Sequence, residues 1–236
     1  MLFRSLSEIL RYASPPMTES QIYNVLIGYL CFVPLITMHE WAHAWVAWKC
    51  GDNTAYSEGR VTMNPVAHME LIGTVVLPLL GSFVALSNPG LAGFIIGWGR
   101  PVPVNAANLR RPRVDETLVT IAGPTMNFIL AFAILALLRI AVQADVPGRE
   151  AWAETCLRTA AMSLGLCFFN LIPIPPLDGS HILKNLIGMD QITYYRFAQF
   201  GFIAVLVVVN LPGVREALWW VTSTTLVLML SVFGLH

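Results

Sequence analysis

His39, Glu40 and His43 lie in the run His39-Glu40-Trp41-Ala42-His43, a spacing suited to holding a metal ion. In a helix, residues four apart are displaced by about 40° and 6 Å, so both imidazoles can offer a nitrogen to one ion while Glu40 flanks the same face. Two imidazoles make half of a tetrahedral ligand set. A hydrolytic zinc site takes three protein ligands and leaves a fourth position for water, so a third ligand must come from elsewhere in the chain.

The run sits inside apolar sequence, Val25 to Ile36 before it and Ala44 to Trp48 after it. An ionisable group near the centre of a bilayer costs about 2.5 to 3.5 kcal/mol on insertion scales, so two histidines and a glutamate in one turn need a compensating partner. A bound metal supplies one. The best candidate for the third ligand is Asp178, in Asn170-Leu171-Ile172-Pro173-Ile174-Pro175-Pro176-Leu177-Asp178-Gly179. Prolines at 173, 175 and 176 each remove an N–H donor and cannot continue a helix. Irregular backbone at membrane depth is tolerated only where it is buried in protein or lines a watered cavity, so this segment marks a cavity. The bland alternative for Asp178 is an N-cap of the helix beginning at Gly179.

The elements that must position these residues are hydrophobic. Charged residues are 12% of the 236 and hydrophobic ones 56%, arriving in long runs, which defines a polytopic membrane protein. Fourteen basic and fourteen acidic residues cancel, so no global field attracts nucleic acid. Cys31, Cys50, Cys156 and Cys167 form no CxxC pair and read as buried thiols. The first twenty residues read as a short amphipathic lead-in without a signal-peptide pattern. Membrane segments are expected at about 22 to 50, 69 to 98, 115 to 143, 151 to 172, 193 to 211 and 214 to 234. The last two are separated by a Pro-Gly turn. Within 69 to 98, Asn88-Pro89-Gly90 marks a turn, so this stretch is expected to form a re-entrant or spanning hairpin.

Orientation follows from charge. Arg100, Arg110, Arg111 and Arg113 crowd the loop from 99 to 113, which places it in the cytoplasm, and the loop from 144 to 150 falls on the opposite side. Residues 172 to 180 and the HExxH turn then meet in the cytoplasmic half of the bilayer. The expected fold is an all-α polytopic membrane protein, one domain over 1–236. It has five to six transmembrane helices, a re-entrant or short β hairpin element and a helix broken at the active site.

The two motifs together resemble the site-2 proteases, intramembrane zinc metalloproteases with HExxH on one helix and N-x-x-P-x-P-P-L-D-G on a later one. Gly51-Asp52, Gly59-Arg60, Asn64-Pro65, Gly73-Thr74, Gly97-Trp98-Gly99-Arg100-Pro101-Val102-Pro103-Val104-Asn105 and Ala122-Gly123-Pro124 with Asn127 extend the likeness to the compact subgroup without PDZ or CBS domains. The resemblance spans about residues 24 to 190. It implies His39, His43 and Asp178 as ligands of one zinc per chain, and Glu40 as general base. Asn170 would bind the substrate backbone or the oxyanion, and Asn127 would be a polar group near the site, grouped here with the substrate-binding candidates. The slot after the glutamate, usually aliphatic or aromatic in the family, holds the large Trp41, on a lipid-facing or packing face. The implied partners are a transmembrane protein substrate and the lipid bilayer, and the implied location is the plasma membrane.

Such a substrate must unwind to expose a carbonyl. Pro101 and Pro103 around Val102 and Val104 read as an edge strand that could pair with it. Bland readings compete at each position: Asn127 and Asn170 could be interhelical glue, worth about 0.6 kcal/mol each. His68 and His181 read as interfacial or capping residues. Rival functions are a catalytically silent metal-binding scaffold or zinc transporter, which would show paired half-helices in two repeats, and an iron site, because two histidines and a carboxylate match the non-haem triad. Glu40 beside the ligands favours hydrolysis.

Overall fold

The computed structural model describes residues 19–87, 97–144 and 148–235, and among them the secondary structure is helical throughout. Helix α1 (Glu19–Lys49) carries the HExxH turn, with Glu19 in its first turn and Lys49 in its last, each at the favourable end of the helix dipole. Gly51, at φ 108°, ends this helix by a conformation that side chains rarely adopt. Two short helices follow, α2 (Thr54–Ser57) and α3 (Pro65–His68), then a π-helical turn at Leu71–Val76 that runs directly into α4 (Leu77–Ser87). A 3-10 turn at Ala106–Asn108 precedes α5 (Pro112–Gln143) and α6 (Arg149–Asn170). After the proline segment come α7 (Asp178–Ile187), α8 (Gln191–Ala198), α9 (Gly201–Val209) and α10 (Pro212–Phe233).

Three of these helices are long and apolar enough to cross a membrane: 21–49, 112–143 and 212–233. Helices α8 and α9, bent by 58° at a short break, would make a fourth if they act as one span. The 193 to 211 stretch, expected as one helix, is therefore two, and Ala198 and Gly201 bound the bend. Helix α6 has the length to span but not the apolarity, with Glu154 and Arg158 on its first half. It packs against α5 and α10 around Ala131, Leu135, Leu138, Ala160, Leu164 and Met229, where the two alanines bring the helices close.

The stretch from 69 to 98 is not a plain span. Its helical part ends at Ser87, and the turn expected at Asn88-Pro89-Gly90 lies outside the described residues, as do the lead-in before residue 19 and residues 145–147. Beyond residue 96 the chain lies beside the start of that run: Trp98 N–H donates to the Gly73 carbonyl at 3.0 Å and Arg100 N–H to the His68 carbonyl at 2.7 Å. The β element expected here is not seen in the described part of this stretch. Among the described residues no strand is assigned, and residues 97–105 are non-helical backbone hydrogen-bonded to helix ends rather than to a neighbouring strand. The prolines at 101 and 103 supply no donors for a ladder.

Candidate metal centre

Helix α1 presents His39 and His43 one turn apart, both buried, with ring centroids 4.6 Å apart. Asp178 arrives from the first turn of α7. Its Oδ2 lies 3.2 Å from His39 Nε2 and 3.3 Å from His43 Nε2, and the two Nε2 atoms are 3.0 Å apart. The distant carboxylate that the sequence offered as third ligand stands with the two imidazoles in a triangle of three possible ligand atoms. Zinc bonds of about 2.0 to 2.1 Å at tetrahedral angles give ligand edges of about 3.3 Å, which is the size of this triangle.

Three further observations fit a cation there. The first concerns His43, whose Nδ1 is 2.7 Å from the Val119 carbonyl of α5. A carbonyl only accepts, so Nδ1 carries the proton and the Nε2 lone pair faces the triangle. Second, Asp178 Oδ2 is buried with no hydrogen-bond partner. Lone pairs converging at such distances repel unless a cation or a proton lies among them. Third, Gly123 of α5 faces both rings. A Cβ there would stand 2.3 Å from His43 Nε2 and 2.6 Å from His39 Nε2, so the absent side chain leaves the space in front of the nitrogens open.

Asn127 is fully buried one turn beyond Gly123, and its amide lies 3.2 Å from His39 Nδ1 while its Oδ1 is orphaned. With the amide's O and N exchanged, Oδ1 accepts the His39 Nδ1 proton, which leaves Nε2 free for a metal. Asn127 thus stands behind a histidine rather than in open space. Ser163 of α6 donates to the Asn127 carbonyl at 2.7 Å and holds this level of α5 in place.

Glu40 is nearly buried on the same turn, and Gly99 is pressed against it. A Cβ at Gly99 would meet Glu40 Cγ at 2.9 Å and Oε1 at 3.0 Å. Several contacts hold that loop in place. Thr74 donates to the Trp98 carbonyl at 2.7 Å, and the Trp98 indole lies against Gly73. Arg60 Nη2 donates to the Arg100 carbonyl at 2.5 Å. Asp52, fully buried, accepts from Asn105 N–H at 2.7 Å and Asn108 Nδ2 at 3.0 Å. Burial pushes the Asp52 carboxyl up, but the donors from Thr54, Asn108 and Asn105 outweigh it and leave it below its ordinary value.

The remaining sequence candidates are more peripheral. Asn170 ends α6 and donates to the Leu166 carbonyl at 2.9 Å, within its own helix. Val102 is half-buried and Val104 exposed, beyond the Gly99 contact. His68, expected at an interface or cap, is instead fully buried, its Nε2 2.7 Å from the Thr62 carbonyl, and burial lowers its pKa. Gly123 and Gly99 were quoted in the sequence only as parts of motifs. Nothing in their spacing predicted that each would face a site side chain. A cavity of about 590 Å³ lies between α1, α4 and α6, lined among others by Gly28, Phe32, Ser82, Gly97 and Phe169; His39, Glu40, His43 and Asp178 are not in its lining.

The apolar helices and the buried His-His-Asp cluster with an adjacent glutamate define a helical membrane protein built around a candidate metal centre. Comparison with protein families matches residues 27–153 and 142–211 to Peptidase family M50, that of the site-2 proteases, and the chain belongs to that family. A protein of Bacillus subtilis (strain 168), YwhC, provisionally named a zinc metalloprotease, is 36% identical over 204 residues, 82% of this chain and 85% of that one. Rip2 of Mycobacterium tuberculosis (strain ATCC 25618 / H37Rv), provisionally named in the same way, is 32% identical over 178 residues, 75% of this chain and 64% of its own length. Rip2 of Mycolicibacterium smegmatis is 26% identical over 190 residues, 78% of this chain and 68% of its own. No solved structure matches the chain.

Proposed function

We propose that this chain is a zinc-dependent intramembrane endopeptidase that hydrolyses peptide bonds within or near transmembrane segments of membrane-protein substrates. The observation that carries this reading is the triangle of His39 Nε2, His43 Nε2 and Asp178 Oδ2 with Glu40 on the adjoining turn. These three side chains would hold one zinc. Bound there, zinc supplies Lewis acidity toward water and a peptide carbonyl. Glu40 takes the proton of the attacking water at its carboxylate and returns it to the leaving amine. Val119 and Asn127 keep each imidazole in the tautomer that frees Nε2.

The substrate segment unwinds and lies along residues 97–104. Trp98 and Arg100 commit their N–H groups to α3 and the π-helical turn, which supports Gly99 as the residue facing Glu40 and the reacting peptide. Val102 and Val104 continue that surface, and Asn170, at the end of α6, would bind the substrate backbone. The cavity between α1, α4 and α6 accommodates apolar side chains of the substrate.

In this reading the chain forms one membrane-embedded domain with five spans: α1, α5, the bent α8–α9 pair, α10, and α6, which is less apolar than the others but crosses packed against α5 and α10. The π-helical turn and α4 form a re-entrant element. The arginine-rich loop faces the cytoplasm, which places the site in the cytoplasmic half of the plasma membrane. The test is cleavage of a single-span substrate by purified protein in lipid, together with bound zinc measured per chain. Zinc near one per chain, with cleavage that stops on chelation and returns with zinc, is the expected result. Metal-free protein with full activity would overturn it.

A further inference from the structure

Asp178 stands in the first turn of a ten-residue helix, and a helix that short has little stability of its own. Outside contacts must therefore hold it where the two histidines need it. Lys184, one of two lysines in the chain, is 4% exposed, and its Nζ contacts Glu116 Oε1 of α5 and lies 3.0 Å from Gln191 Oε1. His181 places Nδ1 3.2 Å from the same Glu116 oxygen. Asn185 donates to Thr117 Oγ1 at 3.2 Å, and the Ser180 hydroxyl lies 2.8 Å from the Tyr194 hydroxyl of α8.

At about 100° per residue, Asp178, His181 and Lys184 fall within about 120° of one another on α7. Glu116 stands one turn before Val119, whose carbonyl holds His43. One stretch of α5 therefore fixes a histidine with its backbone and the carboxylate-bearing helix with a side chain. We infer that Glu116, together with Lys184 and His181, is a positioning group that clamps α7 to α5 and sets the distance of Asp178 from His39 and His43. The inference rests on the reading of that triad as a zinc site. Removing Glu116 leaves the buried ammonium of Lys184 without its counter-charge, and α7 must turn to bring it toward water. Asp178 moves with the helix.

The test uses the full chain in lipid nanodiscs. Zinc affinity is read by competition with a chelating fluorophore, and the ligand geometry by the visible absorption of the cobalt-substituted protein. Glu116→Gln and Lys184→Met should each weaken zinc binding about tenfold, within the range of outer-sphere substitutions, and shift the cobalt bands. The exchanged pair Glu116→Lys with Lys184→Glu should recover most of the affinity. Zinc affinity and cobalt spectra that stay unchanged in both single variants, while unfolding of the zinc-free protein shifts, would make the cluster merely structural and overturn the clamp. Asp178→Ala separates the two ideas. If it loses zinc while the Glu116 variants keep it, the clamp falls and the zinc reading stands; if it keeps zinc at full affinity, both fall. Should Glu116→Gln not fold, His181→Gln, on a half-exposed side chain, should give a smaller loss in the same direction, and unchanged affinity there would overturn the clamp equally.

Discussion

His43 places Nδ1 2.7 Å from the carbonyl of Val119, so a residue 76 positions further along the chain decides which nitrogen of the candidate ligand is free. Val119 lies on α5 close to Pro124, which has no N–H to give the Thr120 carbonyl and loosens the helix ladder at this level. The same helix brings Gly123 to the front of the rings and Asn127 to the back of His39. Helix α5 thus forms a second wall of the candidate centre, against the HExxH turn on α1.

Separating ligand from base gives the first prediction. Glu40→Gln keeps the shape of the site but removes the proton acceptor, so peptide cleavage should fall by about a hundredfold or more while zinc remains near one per chain. His39→Ala, His43→Ala and Asp178→Ala should lose zinc and activity together. Measuring metal content and cleavage on the same preparations decides the roles, and a Glu40→Gln protein that cleaves normally would remove Glu40 from the chemistry.

Gly123 tests the space in front of the histidines. In a helix interior Gly→Ala ordinarily gains up to about 1 kcal/mol. Here the added Cβ would stand 2.3 Å from His43 Nε2. Gly123→Ala should therefore abolish zinc binding, whereas Gly213→Ala, which has nothing within 4 Å, should leave zinc and activity unchanged. Metal analysis of the two purified variants checks this, and retained zinc in Gly123→Ala would mean the ion, if any, sits elsewhere.

Asn127 should behave as an orienting group. Asn127→Leu removes the acceptor that holds the His39 Nδ1 proton, and zinc affinity should drop about 10-fold to 100-fold, the range found for partners of ligating histidines. Its effect should appear in metal titrations without substrate. If Asn127→Leu bound zinc normally and only raised KM, Asn127 would belong to substrate binding instead.

What was legible in the sequence was what neighbours along the chain determine. The i, i+4 spacing of His39 and His43 fixes their shared face, and the prolines before Asp178 fix the break that lets it approach, so these residues could be read without coordinates. The helical ends near 50 and 143 also followed from composition. Pairings across tens of residues carried no local signal: Glu116 with Lys184, Asp52 with Asn105, and Gly99 against Glu40. The setting of α6 was hidden for a related reason. Its sequence is only moderately apolar, and its long contact with α5 and α10 could not be weighed from composition. The β element expected at 101–104 rested on alternation alone, and the structure spends the neighbouring backbone donors on helix ends.

The topology prediction depends on arginine asymmetry. Single cysteines placed in a cysteine-free background at 107 and at 148 should be labelled from opposite sides of the membrane, 107 from the cytoplasm. Labelling of both from one side would contradict α5 as a span. The reverse order would move the site to the outer half.

The final prediction concerns how a substrate reaches Glu40. A transmembrane helix hides each carbonyl in its own hydrogen bonds, so cleavage requires local unwinding. Gly or Pro near the cut site lowers the cost of unwinding by about 1 to 3 kcal/mol each, and replacing them with Leu should slow cleavage accordingly. On the enzyme, Gly99→Ala pushes a Cβ to within 2.9 Å of Glu40 Cγ, at the position where the unwound backbone would lie, so it should depress kcat with zinc content unchanged. Substitutions at Val102 or Val104, further along the same segment, should act on KM more than on kcat. Kinetics on a matched pair of substrates, one with Gly and one with Leu at the cut site, measure both effects together. If cleavage ignores substrate helicity and Gly99→Ala alike, the substrate does not lie along residues 97–104, and its approach must instead be sought on the open side of the cavity lined by Gly28 and Phe169.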